Sequence, residues 1–88
     1  MKSKTFWAIT KNQESVLVLN QSSAVDVDIF EVDDIGAASF FSSKEGAANT
    51  ILEISGKTDS QWQYSCSYNI DELDLVEVVM NYRVIDKS

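Results

Sequence analysis

The chain has 88 residues, of which 44% are hydrophobic, and its fourteen acids outnumber its seven bases to give a net charge of −7. This length fits one small domain with a modest core, so residues 1–88 are predicted to form a single α+β unit. The negative charge argues against direct contact with nucleic acid or an anionic membrane, because both repel acidic proteins.

The sequence also indicates a cellular compartment. The apolar run at residues 6–9 is shorter than the roughly 7–15 residues of a signal-peptide core, and no run approaches the roughly 18 residues of a membrane span. The single cysteine, Cys66, has no second cysteine in the chain to pair with, which fits a reducing environment. We therefore expect a soluble cytoplasmic protein.

Three strands are predicted before the helix, at residues 5–10, 16–19 and 24–32. The first two are separated by a short polar turn, which favours a hairpin. All four residues of 16–19 are apolar, so this strand is either covered on both faces or lies at an edge apposed to another chain. In the third strand, Val27 and Ile29 alternate with Asp26 and Asp28, so the two carboxylates should face solvent.

One helix is predicted over about residues 43–55. Ser42 and Glu45 have the spacing of a capping box, and Gly56 stands where a left-handed C-terminal cap is wanted. Gly46, near the helix start, suggests close approach of helix and sheet. The helical spacing predicts one buried stripe of five residues: Ala47, Ala48, Ile51, Leu52 and Ile54.

The last part of the chain reads as a hairpin of strands 62–70 and 75–85, joined by a turn at 71–74. Apolar and polar residues alternate with period two in both segments, which is typical of strands with one covered face. This pattern places Cys66 on the covered face of its strand, so we predict a buried cysteine that fills space in the core.

The predicted order is therefore β-β-β-α-β-β. One helix on one face of a four- or five-stranded antiparallel sheet is an α+β arrangement. A first acidic cluster lies at the third strand and just after it. It comprises Asp26, Asp28, Glu31, Asp33 and Asp34. A second lies at the predicted hairpin turn and just after it, and comprises Asp71, Glu72, Asp74 and Glu77, of which the first three are predicted to contact a partner.

Two interpretations of these acids remain open. Charges on an edge strand can simply keep it soluble and block strand addition. Alternatively, a row of carboxylates can occupy the lysines and arginines with which another protein holds phosphates. The sequence leaves open whether the two clusters form one surface.

The motifs argue against a metal site or an enzyme. Asp26 and Asp28 begin like a calcium loop, but Phe30, Glu31 and Ala37 stand where that loop needs an oxygen ligand, a glycine and a bidentate glutamate. The chain has no histidine and no glycine-rich phosphate loop. We expect no cofactor, no metal and no catalytic residue.

Two stretches carry a resemblance to known proteins: Phe-Ser-Ser-Lys-Glu-Gly-Ala-Ala at 41–48, and Tyr-Asn-Ile-Asp-Glu-Leu at 68–73 leading into Val-Glu-Val-Val at 76–79. A short N-terminal sheet, a capped helix and closing strands resemble small acidic accessory proteins of phages and prophages. The likeness covers about the second half of the chain. Among these proteins, anti-CRISPR proteins bind a nuclease complex and block its nucleic-acid surface.

The resemblance implies a binder and inhibitor in the cytoplasm of a host cell, and no functional residue is carried over from it. Our first hypothesis is a non-enzymatic inhibitor that docks its acids on a basic nucleic-acid-binding protein, and a homodimer is also considered. A toxin-immunity protein is an alternative that uses the same physics. A third is a phage structural subunit that adds the 16–19 strand, or another sheet edge, to a neighbour.

Overall fold

A computed structural model describes residues 1–85 and shows one helix on one face of a five-stranded sheet. The α+β class and the order β-β-β-α-β-β are confirmed. Single turns of 3-10 helix occur at Ile35–Ala37 and Ile70–Glu72. The elements are β1 (Lys2–Lys11), β2 (Ser15–Gln21), β3 (Asp26–Val32), α1 (Lys44–Ile54), β4 (Gln63–Tyr64) and β5 (Leu73–Tyr82).

The strands lie in the order β4-β3-β2-β1-β5. Three neighbouring pairs are antiparallel, but β4 runs parallel to β3, so the sheet is mixed and not purely antiparallel as predicted. The predicted strand at 16–19 lies within the longer β2, which is the central strand of the sheet. Because β2 has a neighbouring strand on each side, the alternative that these residues form an edge apposed to another chain is wrong.

The predicted C-terminal hairpin is wrong. β4 and β5 lie at opposite edges of the sheet, and only two residues of the 62–70 segment pair as a strand. After β4 the chain passes toward the helix, where the Tyr68 N–H donates to the Ile54 carbonyl at 3.1 Å. Alternation predicts which residues share a face but not which strand is the partner. The predicted turn at 71–74 therefore leads into an edge strand paired with β1.

The helix face of the sheet holds the larger core cluster. Ile9, Leu17, Ile29 and Leu73 contribute one residue from each of four strands, and α1 covers them. Of the predicted helix stripe, Ala47, Ile51 and Ile54 are buried as expected, whereas Leu52 is exposed and Ala48 half-buried. Each fully buried aliphatic side chain stabilises the fold by roughly 1.5–3 kcal/mol.

The second face is covered by a segment without regular structure. β1 and β2 pair only at Thr10↔Val16 and Lys11↔Ser15 and then diverge. Residues 38–41, the inserted segment, lie in the opening. The Trp7 and Phe41 backbones exchange hydrogen bonds of 2.9 and 2.8 Å on one side.

Ser39 makes the contacts on the other side of the inserted segment. Its N–H donates to the Leu17 carbonyl at 3.1 Å, and its hydroxyl accepts from the Leu19 N–H at 2.8 Å. Ala38 is thereby buried with Ala8 and Val16 in a second core cluster. The inserted segment replaces the missing β1–β2 ladder and covers the second face.

Removal of the Ser39 hydroxyl tests this arrangement. Ser39→Ala should lower the free energy of unfolding by about 1–2 kcal/mol, because it leaves a part-buried backbone N–H without its acceptor. Urea denaturation followed by circular dichroism measures the loss. Ser39→Thr keeps the hydroxyl and should lose less; equal losses in both variants would show that the hydrogen bond to Leu19 is not the cause.

The helix termini match the prediction at one end only. Gly56 has φ 73°, and the N–H groups of Gly56 and Lys57 donate to the carbonyls of Glu53 and Leu52, which is the Schellman cap expected there. At the other end the predicted capping box at Ser42 is wrong. Ser43 is the N-cap, and its hydroxyl accepts from the Gly46 N–H at 3.0 Å.

The shifted cap also explains the early glycine. A Cβ on Gly46 would lie 2.9 Å from the Ser43 hydroxyl oxygen, whereas nothing from the sheet lies against this position. The glycine makes room for the cap, and the expectation that it permits close helix–sheet approach is not supported.

Two adjacent serines give a matched test of the cap. Ser43→Ala should lower the free energy of unfolding by about 0.5–2 kcal/mol, because it removes the N-cap acceptor. Ser42→Ala, one residue earlier at an exposed position, should leave stability unchanged within about 0.5 kcal/mol. If urea denaturation showed that Ser42→Ala loses more free energy of unfolding than Ser43→Ala, Ser42 and not Ser43 would be the N-cap, as the predicted capping box requires.

Two further expectations are corrected. Cys66 is exposed and not buried, because the backbone after Tyr64 leaves the sheet and the period-two alternation no longer sets the direction of side chains. The strand bounds also differ from the predicted ones: β1 begins three residues earlier, β3 begins at Asp26, and β5 ends at Tyr82.

Candidate functional site

The two predicted acidic clusters meet in part at one end of the sheet. One row of register partners crosses four strands there, through Val32, Val16, Thr10 and Asp74. Asp33 and Asp34 follow β3 at this end, and Asp71 and Glu72 precede β5 at the same end. These four acids of the two predicted clusters therefore lie at the same end of the sheet.

A third acidic contribution, which was not predicted from the sequence, comes from the β1–β2 turn. Asn12 and Gln13 both have positive φ, 53° and 58°, and the Glu14 N–H closes the turn on the Lys11 carbonyl at 3.0 Å. The Asn12 N–H donates to the Glu72 carbonyl at 2.7 Å. This contact joins the turn to the segment before β5, so Glu14 lies at the same end.

We call this surface the acidic end. It is defined by seven carboxylates: Glu14, Glu31, Asp33, Asp34, Asp71, Glu72 and Asp74. All of these except Glu14 belong to the two acidic clusters predicted from the sequence. The signal for Glu14 was its place in a short turn directly after a strand, but only the strand register shows that this turn lies beside the other acids.

Asp26 and Asp28 lie elsewhere. They begin β3, whereas Asp33 follows its far end, so about 20 Å of strand separates Asp26 from the acidic end. The two share one face of β3, as predicted, opposite the helix. Asp26 accepts a hydrogen bond from the Ser23 hydroxyl at 2.7 Å and so stabilises the β2–β3 turn. The predicted first cluster is thus divided between the two ends of one strand.

Glu31 is tied to two neighbours on the helix face. It forms a 3.3 Å salt bridge with Lys11 and accepts from the Tyr68 hydroxyl at 3.1 Å. Burial raises the pKa of Tyr68 well above its usual range, and the neighbouring Cys66 and Glu31 side chains raise it further. Lys11 also lies over the Tyr68 ring. The base nearest the acidic end is therefore already engaged by one of its carboxylates.

Asp34 also has a structural contact, since its carboxylate accepts from the Gly36 N–H at 3.0 Å and caps the following 3-10 turn. The other members of the acidic end are exposed or half-buried. A concavity of about 290 Å³ opens beside them, lined by Thr10, Gln13, Asp74, Leu75 and Val76. Its one charged lining residue is Asp74, so a lysine or arginine side chain is the complementary occupant.

Glu53 lies outside the acidic end, and its carboxylate has a structural role. It accepts from the Tyr64 hydroxyl and the Asn49 amide, each at 2.8 Å, and from the Ser60 hydroxyl. These bonds hold β4 against α1. Burial raises the pKa of Tyr64 to about 12, and the hydrogen bond to Glu53 contributes to the shift.

The Tyr64 pKa makes stability depend on alkaline pH. The folded-state value of about 12 exceeds the ordinary 10.0, so this contribution to stability is complete below pH 10 and is lost as pH rises toward 12. The difference in phenolate absorbance between wild type and Tyr64→Phe should titrate near pH 12. In urea-unfolded protein it should titrate near 10; a folded midpoint near 10 would contradict the buried hydrogen bond.

Within residues 1–85, no three acidic or cysteine side chains are grouped so that they could hold a metal ion. Among the same residues, no helix is long and apolar enough to span a membrane.

Comparisons leave the chain without an assigned family. No protein-family model, curated protein or solved structure matches it. The features of the chain that bear on its function are therefore the acidic end and the sequence patterns.

Proposed function

We propose that this chain is a non-enzymatic binding protein that docks its acidic end on a basic nucleic-acid-binding protein and inhibits it by covering the nucleic-acid surface. The observation that carries the proposal is the convergence of carboxylates from three separate segments on one end of the sheet. The β1–β2 turn, the end of β3 and the segment before β5 each contribute.

Electrostatics favours this class of partner. The nearest base, Lys11, is paired with Glu31, so the remaining carboxylates present a field of one sign. Such a field speeds encounter with a basic surface and weakens as salt rises. Carboxylates on adjacent strands and turns are spaced by several ångströms, as phosphates are along a nucleic-acid backbone, so they can engage the same lysines and arginines.

The concavity beside Asp74 gives the acidic end a place where one side chain of a partner can insert. Its mixed lining of Leu75, Val76 and one carboxylate suits the apolar stem and charged head of a long basic side chain. An arginine or lysine of the partner inserted there would fix the orientation of the complex. The resemblance to anti-CRISPR proteins favours a nuclease complex as the partner, with a toxin nuclease blocked by an immunity protein as the alternative.

Two variants with equal charge change test the role of the acidic end. In the first, Asp33, Asp71 and Glu72 become Asn, Asn and Gln. In the control, Asp28, Asp59 and Glu45 change in the same way. All six residues lie outside the core, so both variants should fold, which circular dichroism checks.

The assay is affinity capture from lysate of the source or host cell, with mass-spectrometric identification and release by added DNA or RNA. We expect wild type and control to retain a basic nucleic-acid-binding protein that nucleic acid and salt displace, and the first variant to lose it. Equal losses in both variants would show that net charge and not the acidic end is responsible. Retention by all three would overturn the proposal. A captured toxin would identify the immunity alternative.

A further inference from the structure

Among the residues that the structure describes, none pairs with the outer edge of β5 along its ten residues. Within residues 1–85, β5 forms a ladder with β1 alone, from Lys2↔Tyr82 to Lys11↔Leu73. A strand with one neighbour leaves alternate N–H and C=O groups pointing outward, where another strand can bind them. Val79, Met80 and Tyr82 on this strand are exposed by 53%, 37% and 48%.

The β1–β5 pair extends beyond the rest of the sheet. Because β2 leaves β1 after two register pairs, residues 2–6 and 78–82 form a two-stranded arm. Lys2 and Lys4 protect the β1 side of the arm, since lysine on an edge opposes strand addition. The β5 side has valine, methionine and tyrosine, which favour pairing. The β5 edge is therefore the side open to a further strand.

Charge is distributed unevenly along the same ladder. The arm carries Lys2 and Lys4, with Arg83 directly after β5, and no acid lies in residues 2–6 or 78–83. Asp74 lies at the other end of β5, with Asp71 and Glu72 just before the strand. One edge thus has a basic end and an acidic end, and an antiparallel copy of the same edge would bring unlike ends together.

We propose that β5 pairs antiparallel with β5 of a second copy of this chain, which joins two five-stranded sheets into one sheet of ten strands. A two-fold axis at Val78 gives the best charge match. It places Asp74 opposite the partner's Tyr82 and beside the partner's Arg83, and Glu77 opposite the partner's Val79. This register keeps like charges from lying directly opposite one another, an arrangement that would destabilise the pair.

The edge is self-complementary under this operation, which is the property required of a two-fold interface. The apolar residues of β5 also fit this register, because Val78 lies at the two-fold axis and Val76 lies opposite the partner's Met80. The acids of the β1–β2 turn and of the end of β3 lie on strands away from the β5 edge. The dimer therefore leaves those acids accessible, and it does not depend on the proposed inhibitory function. Asp74, Leu75 and Val76 lie on the paired edge, so a second copy and a basic side chain of another protein would compete for the concavity.

Sedimentation velocity over a concentration series tests the association. We expect wild type to sediment as a dimer that weakens as salt rises, and Val79→Lys to raise the dimer Kd by on the order of tenfold or more. Val25→Lys is the matched control, because Val25 is also exposed, by 44%, but lies before β3. A wild-type monomer throughout, or equal weakening by both variants, would overturn the proposal.

Cysteine cross-linking tests the register separately. In a Cys66→Ser background, a short bis-maleimide should join two Val78→Cys chains efficiently, because the two introduced thiols would face each other across the axis. Val76→Cys chains should join poorly, because residue 76 would face residue 80. Preferential linking at residue 76, or no linking at either position in a dimeric sample, would contradict pairing centred on Val78.

Discussion

The inserted segment at residues 38–41 is the constraint on which the rest of this fold depends. Two strands that diverge after two register pairs leave unpaired backbone groups on both, and such groups are costly when buried. Phe41 satisfies Trp7 on one side and Ser39 satisfies Leu17 and Leu19 on the other. The divergence then frees β1 to continue with β5 as an arm, while the segment supplies the cover for the second face of the sheet.

Much of this architecture could be predicted because its signals are local. The turn after residue 10, the helical spacing of Ala47, Ile51 and Ile54, and the left-handed Gly56 all depend on neighbours within a few residues. The error of one residue at the N-cap has a local cause too, since Ser42 and Ser43 are equally good caps and the contact with Gly46 decided between them.

The failures concern contacts between residues far apart in the chain. Residues 62–70 alternate like a strand, yet their tyrosines bond to Glu53 and Glu31 and only two residues pair with β3. The membership of the acidic end was predicted only in part, for the same reason. The sequence shows that these residues are acidic. The pairing register of the strands places Glu14 at the acidic end and Asp26 away from it, and no short sequence pattern encodes that register.

The uneven charge along the β1–β5 ladder has a consequence for motion in solution. Opposite charges separated by roughly 30 Å of strand give the β1–β5 ladder an electric dipole in addition to the protein's net charge of −7. The field of a charged surface exerts a torque on such a body while contact is still several ångströms away. A basic surface would therefore turn the Asp74 end of the ladder toward itself before contact, and an acidic surface would turn the arm toward itself.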